Sequence, residues 1–255
     1  MTTETQPNLK ENKKFLVLSD NEIMVRSVED IINNITHETG ATFEFGCSPD
    51  SSIMGIEVNG TPIRVVDVKS GSDEILESGY SFILSAHSKQ IFPKELVEGI
   101  TCINIHPGLN PYNRGMFPHV FSLINGLPAG ATLHIMDQEI DHGDIIDQEE
   151  VVVHKSDTSE TLYSRVLDAE KLILKRTMGK LILGNYTLIK PNKEGNVNRM
   201  KDFENIREID LDTKGTFEEH IDLLRALSHG DRRNAFFVDP STGKRVWVKI
   251  ALEDE

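Results

Sequence analysis

Phe15-Leu16-Val17-Leu18 is a short continuous apolar run of the kind a buried strand carries. It ends at Ser19-Asp20-Asn21, residue types that cap helix N-termini. Ile23, Val25, Val28, Ile31, Ile32 and Ile35 then recur at roughly helical spacing. Thr42 to Phe45 reads as a second strand. Ile56 to Val66 reads as a hairpin turning at Asn59-Gly60. A short helix is expected over 72–79, a buried strand over Tyr80 to Leu84 and another over Ile100 to Ile105. Strands alternating with helices predict an α/β domain with a largely parallel, Rossmann-like sheet. Ligands of such sheets bind beyond the carboxyl ends of the strands. That rule points to Ser85–Gln90 and His106–Gly115.

Further along, Phe117 to Asn125 has the pattern of a helix. Ala131–Asp137 and Ile145–Val153 predict strands flanking an acidic, glycine-containing loop. Ser159 to Leu183 predicts a long amphipathic helix. Residues 185–215 are polar and read as a turn-rich linker. Thr216 to Ser228 predicts a helix opened by a capping box at Thr216 and Glu219. Ala235–Val238 and Arg245–Ile250 predict a hairpin around Asp239 to Lys244. Three segments follow: a polar, disordered tail over 1–13, an α/β domain over 14–184, and a small helix-plus-hairpin unit over 185–255. The last is too small to fold well alone, so it should pack on the main domain or pair with a second copy.

Composition narrows the function. Lys plus Arg number 27 and Asp plus Glu 41, a formal charge of −14, which disfavours a nucleic-acid partner. The start of the chain lacks an apolar signal-peptide core, and no apolar run approaches the ~20 residues of a membrane span. A cytoplasmic protein without membrane contact is expected. The two cysteines, Cys47 and Cys102, are too few for a zinc cluster and are expected as buried, reduced thiols. Dinucleotide, P-loop, nucleophile-elbow and HExxH patterns are all missing.

Chemistry concentrates in two places. Asn104 and His106 stand two apart at the end of a predicted strand, so both side chains can share one side. Pro107 and Gly108 follow, which suits a rigid site. By itself the pair reads more simply as a hydrogen-bonded strand-end Asn and a surface His. The second place is Asp141-His142-Gly143-Asp144, where a carboxylate can fix a histidine tautomer and raise its pKa. By itself this is a solvated turn. The donor atoms do not follow zinc-ligand spacing, so no metal is expected.

Together the two places resemble a family. Ile103 to Gly115 is similar to the Asn-x-His-Pro segment of the folate-dependent formyltransferases, and Ile140 to Ile146 resembles their Asp-x-Gly loop, in the same order and at similar separation. The resemblance spans roughly residues 14–184 and implies a formyltransferase fold. It also implies a catalytic triad of Asn104, His106 and Asp141, and 10-formyltetrahydrofolate as co-substrate. In this reading Asn104 donates a hydrogen bond to the oxyanion. His106 acts as general base and Asp141 orients it. His87, Ser88, Asp137, Ile140 and Asp144 are the residues expected to bind folate.

Within the family the sugar N-formyltransferases are the best match. His87 to Pro93 resembles their His-Cys-Lys-Gln-Ile-Phe-Pro segment, with Ser88 in place of Cys. Asn110 to Gly115 resembles their Asn-Pro-Tyr-Asn-Arg-Gly loop. Leu224 to Gly230, followed by a hairpin, resembles their small dimerisation unit. The resemblance implies formylation of a dTDP-linked amino sugar, such as dTDP-4-amino-4,6-dideoxyglucose, for O-antigen and lipopolysaccharide. It also implies a homodimer formed through the C-terminal hairpin. Lys89, Gln90, Tyr112, Asn113, Arg114, Arg199 and Lys201 are the residues expected at the sugar nucleotide. The nearest alternative is a glycinamide ribonucleotide formyltransferase of purine synthesis, although the Gly143-Asp144 pair leans away from it.

Overall fold

A computed structural model describes residues 13–255. The tail expected over 1–13 lies, except for Lys13, outside the described residues. The chain forms two compact units. The first comprises residues 1–103 and 175–186, and the second 104–174 and 187–255.

The first unit contains β1 (Lys14–Leu18), α1 (Glu22–Thr39), β2 (Thr42–Cys47), β3 (Glu57–Val58), β4 (Thr61–Pro62), β5 (Arg64–Val65), α2 (Ser72–Glu77), β6 (Phe82–Ala86), α3 (Lys94–Gly99) and the start of β7 (Cys102–His106). Its strands run β7-β6-β1-β2-β5. The pairs of β1 with β2 and β6, and of β2 with β5, are parallel. The apolar run that predicts β1 is the centre of this sheet, with Leu16, Val17 and Leu18 fully buried. Asn21 caps α1 as its residue type predicts, its Oδ1 accepting from Met24 N at 3.3 Å. Asn59-Gly60 makes the expected turn, between β3 and β4. Cys47 and Cys102 are free thiols and buried. Burial pushes the Cys102 thiol up to about 12.

The second unit takes the end of β7 and adds β8 (Arg114–Gly115), α4 (Pro118–Asn125), β9 (Ala129–Ile135), β10 (Ile145–Val151), α5 (Ser159–Leu183, whose last residues belong to the first unit), β11 (Val197–Asn198), α6 (Met200–Arg207), α7 (Phe217–Ala226), β12 (Ala235–Val238) and β13 (Arg245–Val248). Its strands run β7-β9-β10, and β9 and β10 are antiparallel. The fold is thus α/β with a mostly parallel sheet, and the terminal helix and hairpin are present. α4 starts at Pro118 and ends on Gly126 at φ +68°, a left-handed C-cap that glycine accepts freely. The capping box at Thr216 forms, with Glu219 N donating to Thr216 Oγ1 at 3.2 Å and Thr216 N to Glu219 Oε2 at 2.7 Å. Val120, Phe121, Leu123, Leu162, Val166, Phe203, Ala226, Leu227 and Ala235 form the core that joins α4, α5, α6, α7 and β12.

The stretch expected as a linker differs from that expectation. β11 pairs in parallel with β8, and Arg114 N and Met116 N donate to Asn196 O (3.0 Å) and Asn198 O (2.8 Å). α6 follows and buries Phe203. The two paired residues of β11 are too few to show alternation, and α6 contributes one buried side chain, so neither stands out in a polar stretch.

Candidate active site

β7 carries the first two site residues. Its pleat puts Asn104 and His106 on one side, and His106 is buried. The β9–β10 loop carries the third. Asp141 sits at φ +46°, one of few non-glycine residues in the left-handed region. Its carboxylate is the hub. Oδ1 accepts from Asn104 Nδ2 at 3.0 Å. Oδ2 lies 3.3 Å from His106 Nδ1 and accepts from Gly115 N at 3.0 Å. Asn110 Nδ2 holds the same loop by donating to Asp141 O at 2.8 Å. Burial works against the Asp141 charge. The facing imidazoles of His106 and His134 and the Gly115 amide outweigh it and hold the carboxyl well below its usual range.

His134, on β9, was not singled out by sequence. Its Nδ1 lies 2.7 Å from Ile135 O, an oxygen that only accepts, so Nδ1 carries the proton. Its Nε2 lies 3.4 Å from Asn104 Nδ2 and 3.5 Å from Asp141 Oδ1. The Asn104 amide therefore faces Asp141 on one side and His134 on the other. Gly108 makes room for the His106 imidazole. A Cβ there would stand 2.4 Å from His106 Nε2. Gly115, at φ +86°, approaches so closely that a Cβ would stand 2.3 Å from Asn198 O.

The structure therefore brings Asn104, His106 and Asp141 together. The residues expected to bind folate fall in both units. In the first, His87 and Ser88 follow β6, and His87 Nδ1 lies 3.2 Å from Asn21 Nδ2. In the second, Asp137 and Ile140 are exposed on the β9–β10 loop. Asp137 Oδ2 holds His142 Nδ1 at 2.8 Å. That hydrogen bond raises the His142 pKa, the effect the acidic loop suggests. Asp137 and Asp144 line a cavity of about 600 Å³ with His142, Gly143, Leu188 and residues 190–194.

Several residues expected at the sugar nucleotide are engaged by the protein itself. Gln90 bridges two backbone groups, accepting from Val68 N and donating to Val66 O, both at 2.9 Å. Asn113 is fully buried, and its side chain meets Ser122 Oγ at 3.0 Å, Asn125 Nδ2 at 2.8 Å and Asn196 Nδ2 at 2.8 Å. Arg114 is buried and pairs with Glu194 at 3.0 Å. Tyr112 carries Lys193 Nζ over its ring at 4.1 Å. Lys89 donates its backbone N–H to Asp20 Oδ2 at 2.7 Å and leaves its ammonium exposed. Arg199 and Lys201 are exposed at the start of α6.

A second cavity, of about 280 Å³, opens on His106. Besides His106, Gly115 and Phe117 it is lined by His119, Ser159, Tyr163, Phe203, His229 and Arg232. The histidines and Tyr163 escape a sequence reading because each sits in a helix or tail that reads as packing. The one available signal is position: His119 follows the Asn110–Pro118 segment directly.

Comparison with known proteins gives the family. The family model described as Formyl transferase matches residues 68–178. The N-formyltransferase dimerization C-terminal domain matches residues 202–254. A dTDP-4-amino-4,6-dideoxyglucose formyltransferase of Mycobacterium tuberculosis is 46% identical over 189 residues, 74% of this chain and 80% of that protein. The crystal structure of a 4-N formyltransferase from Francisella tularensis superposes with a TM-score of 0.90 at 42% identity, covering 95% of this chain and 99% of the other. A sugar N-formyltransferase from Shewanella gives a TM-score of 0.87 at 40% identity, with the same coverage. The chain belongs to the formyltransferase family and, within it, to the folate-dependent sugar N-formyltransferases.

Proposed function

We propose that this enzyme transfers the formyl group of 10-formyltetrahydrofolate to the amine of a dTDP-linked amino-dideoxy sugar, dTDP-4-amino-4,6-dideoxy-D-glucose in the first instance. The observation that carries the reading is the carboxylate hub joining Asn104, Asp141 and His106. The name of the Mycobacterium tuberculosis relative supports the choice of sugar. 10-Formyltetrahydrofolate supplies an activated formyl group. The sugar amine attacks its carbonyl carbon, so a C–N bond forms to the sugar as the bond to N10 breaks. His106 takes the proton lost by the amine, and N10 gains one as tetrahydrofolate leaves. Asn104 turns an amide hydrogen from its protein partner to the oxyanion, where such a donor acts most strongly. Asp141 keeps its charge beside His106, fixing the ring and balancing the imidazolium. The loop residues Asp137, Ile140 and Asp144 are assigned to folate, and the cavity beside Asp144 has room for a fused heteroaromatic ring. Arg199 and Lys201, which leave cationic groups exposed, are assigned to the diphosphate.

The product serves O-antigen and lipopolysaccharide synthesis in this reading, and the reaction is cytoplasmic, where both soluble substrates occur. The C-terminal unit pairs two copies. Val238, Val246 and Trp247 of the hairpin are partly exposed apolar side chains in support of this, and light scattering at the mass of a dimer is the expected result.

Tetrahydrofolate release, followed with dTDP-4-amino-4,6-dideoxyglucose, its 3-amino isomer and glycinamide ribonucleotide as acceptors, tests the reading. Turnover of the 4-amino sugar is expected. Turnover of the 3-amino isomer alone would move the amine position, and turnover of glycinamide ribonucleotide alone would overturn the sugar assignment.

A further inference from the structure

His119 is more than nine-tenths buried and lines the cavity that opens on His106, yet its Nδ1 has no hydrogen-bond partner among the described residues. Buried polar nitrogens are rarely left so. The ring is held from other sides: Tyr163 packs on it with centroids 4.8 Å apart, and His229 lies at 6.2 Å. His229 is itself tied, its Nδ1 3.1 Å from Ser159 Oγ. The rest of the lining is mixed. Phe117, Pro118, Val120 and Phe203 supply apolar walls, and Arg232 supplies a cation. At about 280 Å³ the cavity is at the lower limit of ligand pockets, roughly 300–1,000 Å³. It has room for one ring, not for a whole sugar nucleotide.

We propose that this cavity seats the sugar ring of the acceptor, and that His119 Nδ1 selects it by hydrogen bonding to a ring hydroxyl. The proposal rests on the sugar-acceptor reading above and adds the residue that reads the sugar. The chemistry favours a hydroxyl over other groups. Burial, with His229 and Arg232 nearby, lowers the His119 pKa to about 3, so its ring is neutral. A neutral imidazole nitrogen either donates or accepts, and a hydroxyl answers both. A deoxygenated sugar has apolar edges for Phe117 and Phe203 and few hydroxyls to satisfy. The amine then lies toward His106, which lines the same cavity.

The test compares kcat/KM for the acceptor with that for analogues lacking one ring hydroxyl at a time, in wild-type enzyme and His119→Phe. In wild type one analogue should fall about 10- to 100-fold, the range for leaving a buried polar partner unmet. His119→Phe should lose a similar factor with the parent sugar and nothing further with that analogue. Its affinity for dTDP, which lacks the sugar, should be unchanged, which also reports folding. Equal kcat/KM for every analogue in wild type would overturn the proposal whether or not the variant folds, as would full retention of discrimination in His119→Phe. Failure to turn over any dTDP-linked amino sugar would instead overturn the functional reading beneath it.

Discussion

Two histidine groups in the second unit differ in one respect that decides their chemistry. His106 and His134 face a buried carboxylate, that of Asp141, at 3.3 and 3.5 Å. His119 and His229 face each other, Tyr163 and Arg232, with burial the leading influence, and both have lowered pKa values. The first group is built around a fixed negative charge and can accommodate a proton arriving during the reaction. The second excludes one and can only exchange hydrogen bonds. In the proposed reading a proton acceptor and a hydroxyl reader are made from the same side chain, and the neighbouring carboxylate is what separates them.

Removing that carboxylate should erase the difference at the largest cost. Asp141→Asn keeps the shape but not the charge, and kcat should fall by about 10²–10⁴, the range of a general-base contribution. Saturation kinetics in both substrates measures it. Asn104→Ala should cost about 10²–10³ in kcat, as for a lost oxyanion donor. A loss confined to KM would show that the amide serves binding instead.

The second group has its own signature in stability. An unfolded histidine titrates near 6.5, whereas folded His119 waits until about 3. Between those values the unfolded chain binds a proton that the native state refuses, so His119 makes stability fall as pH drops below about 6.5. The slope is about 1.4 kcal/mol per pH unit. His119→Phe should flatten urea-unfolding stability between pH 7 and 5 by that amount, and equal slopes would show that the ring is not kept neutral.

Asp141 acts in a lower window. Its folded pKa is depressed, so its stabilisation is present above the unfolded value of about 3.9 and is lost as pH falls below it. Asp141→Asn should reduce the steepness of acid unfolding below about pH 4 and leave the slope from pH 7 to 5 alone.

What could be read from residues alone follows the same division. A strand's period of two places Asn104 and His106 together and Pro107-Gly108 marks the strand's end, but that pair alone reads as a strand-end Asn and a surface His, and the family resemblance is what singles it out. Asp141 is legible only through the family resemblance, because by itself the acidic glycine loop reads as a solvated turn. His119 is not, since a histidine within an apolar helical pattern reads as core, and only the cavity and the unmet Nδ1 reveal its difference. Gln90 and Asn113 show the opposite problem. Their types suit a ligand, yet the backbone of Val66 and Val68 and the side chains of Ser122, Asn125 and Asn196 already engage them. Polar type and sequence position do not say whether a partner is protein or substrate. Two-residue strands such as β11 escape for a simpler reason, because no period fits in them.

The most direct test of the account is to separate binding from turnover at His106. His106→Ala should bind dTDP-4-amino-4,6-dideoxyglucose with wild-type affinity by calorimetry, while tetrahydrofolate release falls by about 10²–10⁴. Release at the wild-type rate would contradict the assignment of His106 as the base, and with it the reading of the carboxylate hub as the catalytic centre.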